Sequence, residues 1–513
     1  METPDRTGRA RRRIAGDALS APRALKYRSL SNPLLRQPAF SADRIEAIHE
    51  AALRTLEELG VRVLDGEARA VFRAGDAEVD EETQMVRLPR ALTKALVAKA
   101  PSRFMLRGAH PARDVAIGGE SCAFVHVGGA PNVADLDRGR RPATFADTSN
   151  FIKLVQASDV IPLVQPTPEA QDVPVELRHL AVTEALLTLS DKPLYVYARG
   201  RAQTRDGFAM VRMARGLGEA EFAAGVHAYT VINTNSPRQL DVPMARGIID
   251  FARAGQASII TPFTLAGAMA PVTMAGALTL AHAEALFGVA LAQLARPGAP
   301  VVYGSFTSNV DMKSGSPAFG TPEFVKAAFG AGQLARHVGL SWRGSAGTAS
   351  NAPDQQGVWE TLFSLWGSVL GGANMVIHAA GWLEGGLTAS YEKFVMDIEM
   401  LETFAEIFQP LGASDDDIGY EALAEVLPGG HFFSAAHTMA RYRDAFHAPK
   451  IADWRNFGQW SDDGAKTAGE RANAAWKEHL RTFTPPEMEA ARREALADFV
   501  ARRAGEGGAP VEN

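Results

Sequence analysis

The chain has 513 residues, a formal net charge of −6, 46% hydrophobic and 22% charged residues. Such a composition is ordinary for a globular protein, and the length suits one large core with extensions. The single cysteine, Cys122, excludes an intrachain disulfide framework and any thiolate-rich zinc or iron–sulfur site.

Residues 1–40 hold nine Lys/Arg against three Asp/Glu, with Arg9, Arg11, Arg12 and Arg13 clustered, which leaves about −12 on the remainder. No apolar run follows these arginines, so no secretory signal is expected. The segment is expected to be a basic, partly disordered tail; docking onto phosphates or an acidic protein is the alternative. Ser41 and Asp43 then open an amphipathic helix, with Ile45, Ile48, Ala52, Leu56 and Leu59 at helical spacing and Gly60 as its stop. Strand-like runs at 61–64 and 85–88 and a helix around 92–98 complete an N-terminal α+β segment, residues 41–115.

Over residues 116–410 the pattern becomes a strict alternation. Strands are expected at 123–127, 161–165, 194–198, 226–232, 258–263, 301–305, 341–345 and 374–378. Helices are expected near 145–157, 176–189, 204–215, 243–254, 272–295, 322–337, 355–370 and 391–408. Eight strand–helix units imply parallel pairing and predict an α/β fold of the (β/α)8 TIM barrel type. The open doubly wound sheet is the rival, but Val127-Gly128-Gly129-Ala130 lacks the GxGxxG spacing of its phosphate loop. The apolar stretch 259–295 carries Pro262, Pro271, His282, Glu284 and Gln293. It reads as a buried strand and a packed helix rather than a membrane span, and the cytoplasm is the expected compartment. Beyond 410 the alternation ends, and helices near 434–445, 464–481 and 486–503 predict a C-terminal helical segment, residues 411–513.

Barrel sites form at the C-terminal ends of the strands. Alternation along the fourth strand places His227, Tyr229, Val231 and Asn233 on one face, assigned to the lumen. The same reading groups Val301, Tyr303 and Ser305 on the sixth strand, and Asn374, Val376 and His378 on the eighth. Phe263, Phe306, Trp342 and Trp382 fall at or beyond strand ends, so the mouth is expected to be aromatic and poor in charge. Rings in that setting either fill the core or cage a quaternary ammonium at about 0.5–2 kcal/mol each. No catalytic acid, base or nucleophile is assigned. His126, His227 and His378 are scattered, His282 and Glu284 are two apart, and neither HExxH nor GxSxG occurs, so no protein-bound metal or serine nucleophile is expected. The loop 344–356 is dense in small and polar residues, including Gly347, and Gln356 and Glu360 share a helix face beyond it.

Several long patterns resemble the trimethylamine methyltransferase family, in its branch without pyrrolysine. They include Ile48-His49-Glu50-Ala51-Ala52-Leu53, the turn Asp137-Arg138-Gly139-Arg140, and Leu265-Ala266-Gly267-Ala268-Met269-Ala270-Pro271 continuing to Ala283-Glu284. Pro353-Asp354, Gln356 with Glu360, and Ala380-Gly381-Trp382-Leu383-Glu384 add to them. The resemblance implies a methyltransferase that passes a methyl group to the cobalt of a corrinoid carried by a separate, cognate protein. It also implies a homo-oligomer. Members specific for trimethylamine carry pyrrolysine after the seventh strand, whereas residues 344–354 are ordinary here. That implies a quaternary amine such as glycine betaine, with trimethylamine or another methylamine as the alternative. Methyl transfer from a quaternary nitrogen releases a neutral amine and needs no general acid, in keeping with a mouth lacking acid/base dyads. His227, Asn233, His378, amides near Gly347 or Arg343 are the candidates for a betaine carboxylate. A cofactor-independent lyase or hydrolase and a non-catalytic betaine-binding protein are the other classes considered; neither nucleic acid nor a membrane is an expected partner.

Overall fold

The computed structural model describes residues 27 and 29–512, so the basic cluster at 9–13 lies outside the described residues. Seven of the eight expected runs form strands: Ser121–Phe124, Leu194–Tyr195, Ala228–Ile232, Ala257–Ile260, Val301–Gly304, Trp342–Ser345 and Met375–Ile377. From Leu194–Tyr195 each pairs in parallel with the next in sequence. The last returns to pair in parallel with the first, Met375 opposite Ala123 and Val376 opposite Phe124. Leu30–Ser31 adds an antiparallel edge to Ser121–Phe124. The result is a curled, mainly parallel α/β sheet.

The second run departs from the expectation. Between 161 and 165 only Val164 makes a bridge, to Leu194. Pro162 and Pro166 flank it, and proline cannot donate to a ladder. The Gln165 side chain does the joining instead: its Nε2 donates to the carbonyls of His126 (2.5 Å) and Val127 (3.0 Å), and its backbone N–H donates to His126 Nε2 (3.2 Å).

Strand residues alternate between two apolar clusters, as a pleat requires when both faces are buried. Ala123, Val125, Leu163, Tyr229, Ile259, Val302, Met375 and Ile377 pack in an inner cluster. Phe124, Ala228, Ile260, Val301, Tyr303 and Val376 face the helices. One end of the inner cluster is plugged by the hairpin Phe104–Leu106 and Val115–Ile117, which inserts Leu106, Val115 and Ile117.

The eight expected helices form close to their expected bounds, from Phe145–Gln156 to Tyr391–Ile407. Side chains of Thr144, Asp241, Thr273, Thr321, Asp354 and Ser390 accept hydrogen bonds from their first turns. Such N-caps fix where each preceding loop ends. Met274–Ala295 is long and apolar enough to cross a bilayer, and 72% of its apolar window is buried within the protein.

The N-terminal segment contains the helix Ala42–Arg54 and a small sheet with Val61–Val63 and Met85–Arg87. Residues 409–450 belong to a separate compact unit with short helices, among them Tyr420–Glu425 and Ala436–Arg441. Residues 451–512 belong with the sheet unit. There, helix Ala468–Arg481 packs on Tyr391–Ile407, with Trp476 stacked on Tyr391 (4.5 Å between centroids) and its Nε1 donating to Glu392 at 2.9 Å.

Candidate active site

A cavity of about 310 Å³ sits where the strands end, and all eight strand–helix units contribute to its lining. One wall is aromatic. Phe263 and Phe306 stand in register on two short parallel strands that continue the fifth and sixth units, and their rings lie 5.1 Å apart. Phe306 stacks on Phe319 (5.3 Å) and meets Trp382 edge-on (6.1 Å). Gly128, Gly129, Gly385 and Gly386 leave part of the rim without side chains.

Arg343 lies against this wall. Its residue is 2% exposed, its guanidinium stands 5.4 Å from the Phe306 centroid, and Nε and Nη1 have no hydrogen-bond partner among the described residues. Burial pushes its pKa down to about 9. An unpartnered buried cation is costly, and this guanidinium lines the cavity with donors that an acceptor could meet. Thr261 also lines the cavity, and its buried hydroxyl likewise has no partner among the described residues.

The opposite side holds a satisfied ion pair. Buried Glu169 accepts from Arg199 Nη2 at 2.8 Å and from the Tyr197 hydroxyl at 3.5 Å, and the Arg199 guanidinium lies 5.2 Å from the Tyr197 ring. Tyr195 and Tyr197 complete the aromatic lining. His378 contacts Trp382, 4.0 Å between centroids, and its Nδ1 accepts from the Gly128 N–H at 3.2 Å. Burial first, then the charge of Arg343, push its pKa well below the usual histidine range, so the ring is neutral at physiological pH.

Carboxylates from the helices hold the loops above the strands. Glu284 accepts from Thr234 (2.6 Å), Ser236 (2.6 Å) and the Arg238 N–H (2.7 Å), tying down the loop that follows Asn233. Glu360 accepts from Thr348 (2.5 Å), the Ala349 N–H (2.9 Å) and Gln356 (2.9 Å). Asp397 accepts from the Gly381 N–H and from buried Lys393, both at 2.8 Å. These bonds pin the mouth before any ligand arrives.

Of the residues expected at the site, Asn233, Phe263, Phe306, His378 and Trp382 line the cavity. Gly347 lies directly behind the Trp382 indole. Gln356 and Glu360 are loop anchors. Tyr229 faces the interior as expected but sits beneath the cavity, where its hydroxyl donates to the Val164 carbonyl (3.2 Å) and its ring meets Tyr195 edge-on. His227 does not share that face: it precedes the strand, where Val226 packs on the inner cluster and His227 stacks on Phe222 of the helix-side cluster, and burial with Arg215 and Arg107 lowers its pKa to about 4.

Tyr303 corrects the face assignment, and Trp342 the expectation that it lies at the mouth. Tyr303 points at the helices, where its hydroxyl finds His282 Nδ1 at 3.0 Å, while apolar Val302 takes the interior. A buried phenol goes where it finds a partner. Trp342 packs under Gly371 of the next helix; its neighbour Arg343 therefore faces inward, because adjacent strand residues point to opposite faces. On the eighth strand Met375 and Ile377 face inward and Val376 outward. His378 enters the cavity only because its φ of 67° breaks the alternation.

Glu169, Tyr195, Tyr197, Arg199 and Thr261 are lining residues that the expectation missed. For three of them a signal existed: Tyr195, Tyr197 and Arg199 recur at period two at the end of the third strand.

Comparison with known proteins identifies the family. The family model described as trimethylamine methyltransferase (MTTB) matches residues 5–508. A glycine betaine methyltransferase of Desulfitobacterium hafniense (strain Y51) is 33% identical over 471 residues, covering 91% of this chain and 98% of the relative. Trimethylamine methyltransferase MttB of D. hafniense (strain DSM 10664 / DCB-2) is 29% identical over 464 residues, covering 90% and 93%. The solved monomethylamine methyltransferase MtmB of Methanosarcina barkeri aligns with a TM-score of 0.41 at 10% identity, covering 91% and 93%. The chain is a methyltransferase and belongs to the trimethylamine methyltransferase family.

Proposed function

We propose that the cavity binds a quaternary ammonium carboxylate of the glycine betaine type and presents one N-methyl group to a corrinoid carried by a partner protein. The observation that carries this reading is Arg343, a buried guanidinium whose Nε and Nη1 have no partner among the described residues, inside an aromatic cavity. Trimethylamine has no anionic group to meet it. Glycine betaine does, and the relative of that name is 33% identical. Family members transfer their methyl group to a corrinoid on a separate protein.

In this reading the carboxylate pairs with Arg343, with the Thr261 hydroxyl as a second donor. The trimethylammonium group then lies among Phe263, Phe306 and Trp382, whose ring faces attract a cation. With the carboxylate held inward, an N-methyl group points to the open rim. The corrinoid supplies the nucleophile that accepts the methyl. The carbon–nitrogen bond breaks with its pair remaining on nitrogen, so the leaving amine is formed without a proton donor. Neutral His378 adds no repulsion to the cation. The chain's task is alignment and exclusion of water, which the pinned loops serve.

The sheet is read as a closed (β/α)8 barrel in which 161–165 is the second stave. Two observations support that: the parallel return of Met375–Ile377 to Ser121–Phe124, and the Val164–Leu194 bridge beside inward-facing Leu163.

The test mixes the protein with cob(I)alamin and glycine betaine and follows cobalt absorbance. Methylcobalamin formation is the expected result. Turnover of trimethylamine but not of any betaine would overturn the reading. Tight betaine binding without methylation of free or protein-bound corrinoid would make this a binding protein. A related expectation concerns the ring beneath the cation. Phe306→Leu raises KM for the betaine about tenfold, from one lost cation–π contact of about 1 kcal/mol and loosened packing on Arg343; steady-state kinetics checks it.

A further inference from the structure

We propose that residues 509–512 form a latch that positions Arg199 at the cavity rim, with Glu512 as the positioning residue. The inference rests on reading the cavity as the substrate site. The Glu512 N–H donates to the Arg199 carbonyl at 3.1 Å. Its carboxylate accepts from the Arg201 N–H at 3.1 Å and from Arg246 at 2.8 Å. One turn earlier in the segment, the Ala509 carbonyl accepts from Gln203 (3.1 Å), and its N–H donates to the Glu176 carbonyl (2.9 Å).

Two of these bonds join the turn between the third strand and the helix Arg201–Arg215, and the others tie the segment to Arg246, Gln203 and Glu176 on the surrounding helices. Gly200 sits at the turn's centre with φ 144°, and a Cβ there would lie 3.2 Å from both Glu512 Cγ and the Pro510 carbonyl oxygen. The absence of a side chain lets the segment lie directly on the turn. Arg199, immediately before it, holds Glu169 across the rim.

Glu512 is ionised in this setting. Burial alone would raise its pKa, but Arg246 and the Arg201 N–H together bring it below the ordinary glutamate value. Arg246 also pairs with Asp65 at 2.8 Å, so the latch is anchored to the N-terminal segment as well as to the turn. Glu512 does not line the cavity. Its effect on substrate therefore passes through the backbone at Arg199 and Arg201.

The experiment compares the full-length protein with Glu512→Ala and Glu512→Gln by amide hydrogen exchange and betaine kinetics. In Glu512→Ala the Arg201 amide exchanges faster by about tenfold or more, as local opening becomes easier. KM for glycine betaine rises about tenfold while kcat changes less than about twofold. Glu512→Gln restores most of both, because its amide oxygen still accepts from Arg201. Unchanged exchange at Arg201, or faster exchange with unchanged KM, overturns the latch. A merely structural role would lower thermal stability in Glu512→Ala without moving KM. If the unaltered protein turned over no betaine, the reading of the site would fail, and exchange at Arg201 would alone decide the latch.

Discussion

Arg343→Met lowers kcat/KM for glycine betaine by about 10²- to 10³-fold and stabilises the free protein by roughly 1–4 kcal/mol. The two effects have one cause. Arg343 is 2% exposed and leaves Nε and Nη1 unpartnered among the described residues, so the ligand-free protein bears the cost of an uncompensated charge. Methionine has a similar reach and no charge, which removes the cost and the carboxylate's partner together. Denaturant unfolding of the free protein and steady-state kinetics are measured on the same preparation. Loss of both stability and turnover would mark Arg343 as a packing residue instead.

The sign of the pH dependence follows from the same burial. Arg343 is held down at about 9 in the free protein, and a bound carboxylate favours its charged form. Affinity for the betaine is therefore flat near neutrality and weakens as pH rises through about 9. Arg343→Lys begins from a lower ordinary value, about 10.4, and suffers the same desolvation. Its affinity falls at a lower pH than that of the unaltered protein. Titration of binding between pH 6 and 10 distinguishes the two curves.

Trp342→Ala destabilises the fold by about 3–5 kcal/mol, the range for removing a large buried side chain, yet leaves betaine KM within about threefold. The ring is 2% exposed and packs against Gly371, where an added Cβ would come within 2.7 Å of it. Its removal opens a void between sheet and helix rather than in the cavity. A tenfold rise in KM at temperatures where the variant is folded would return this ring to the cage. Unfolding curves and kinetics below the new melting point separate the outcomes.

The sequence carried the order of strands and helices well, since apolar runs and capped helices are local signals. Thr144, Asp241, Thr273, Thr321, Asp354 and Ser390 each stand immediately before a helix and accept from its first turn. Within the strands the same reading was weaker. A parallel sheet buried on both faces has apolar residues at every position, so period two separates neighbours without saying which set faces inward. That ambiguity places Tyr303 in the lumen, and position at a strand end places Trp342 at the mouth; Val302 and Arg343 face the interior instead. Tyr195, Tyr197 and Arg199 are legible by the same alternation at the end of the third strand.

The sequence by itself determined the alternating architecture, the family and an aromatic mouth containing Phe263, Phe306 and Trp382, because composition and spacing are properties of the chain. Tertiary structure decided the direction of each side chain. His378 reaches the cavity through a left-handed backbone, at φ 67°, which no alternation rule foresees. Only the tertiary packing shows that Arg343 Nε and Nη1 have no partner among the described residues while Arg199 has one in Glu169. Whether a charge is satisfied depends on which groups converge from distant segments, and local sequence does not encode that convergence.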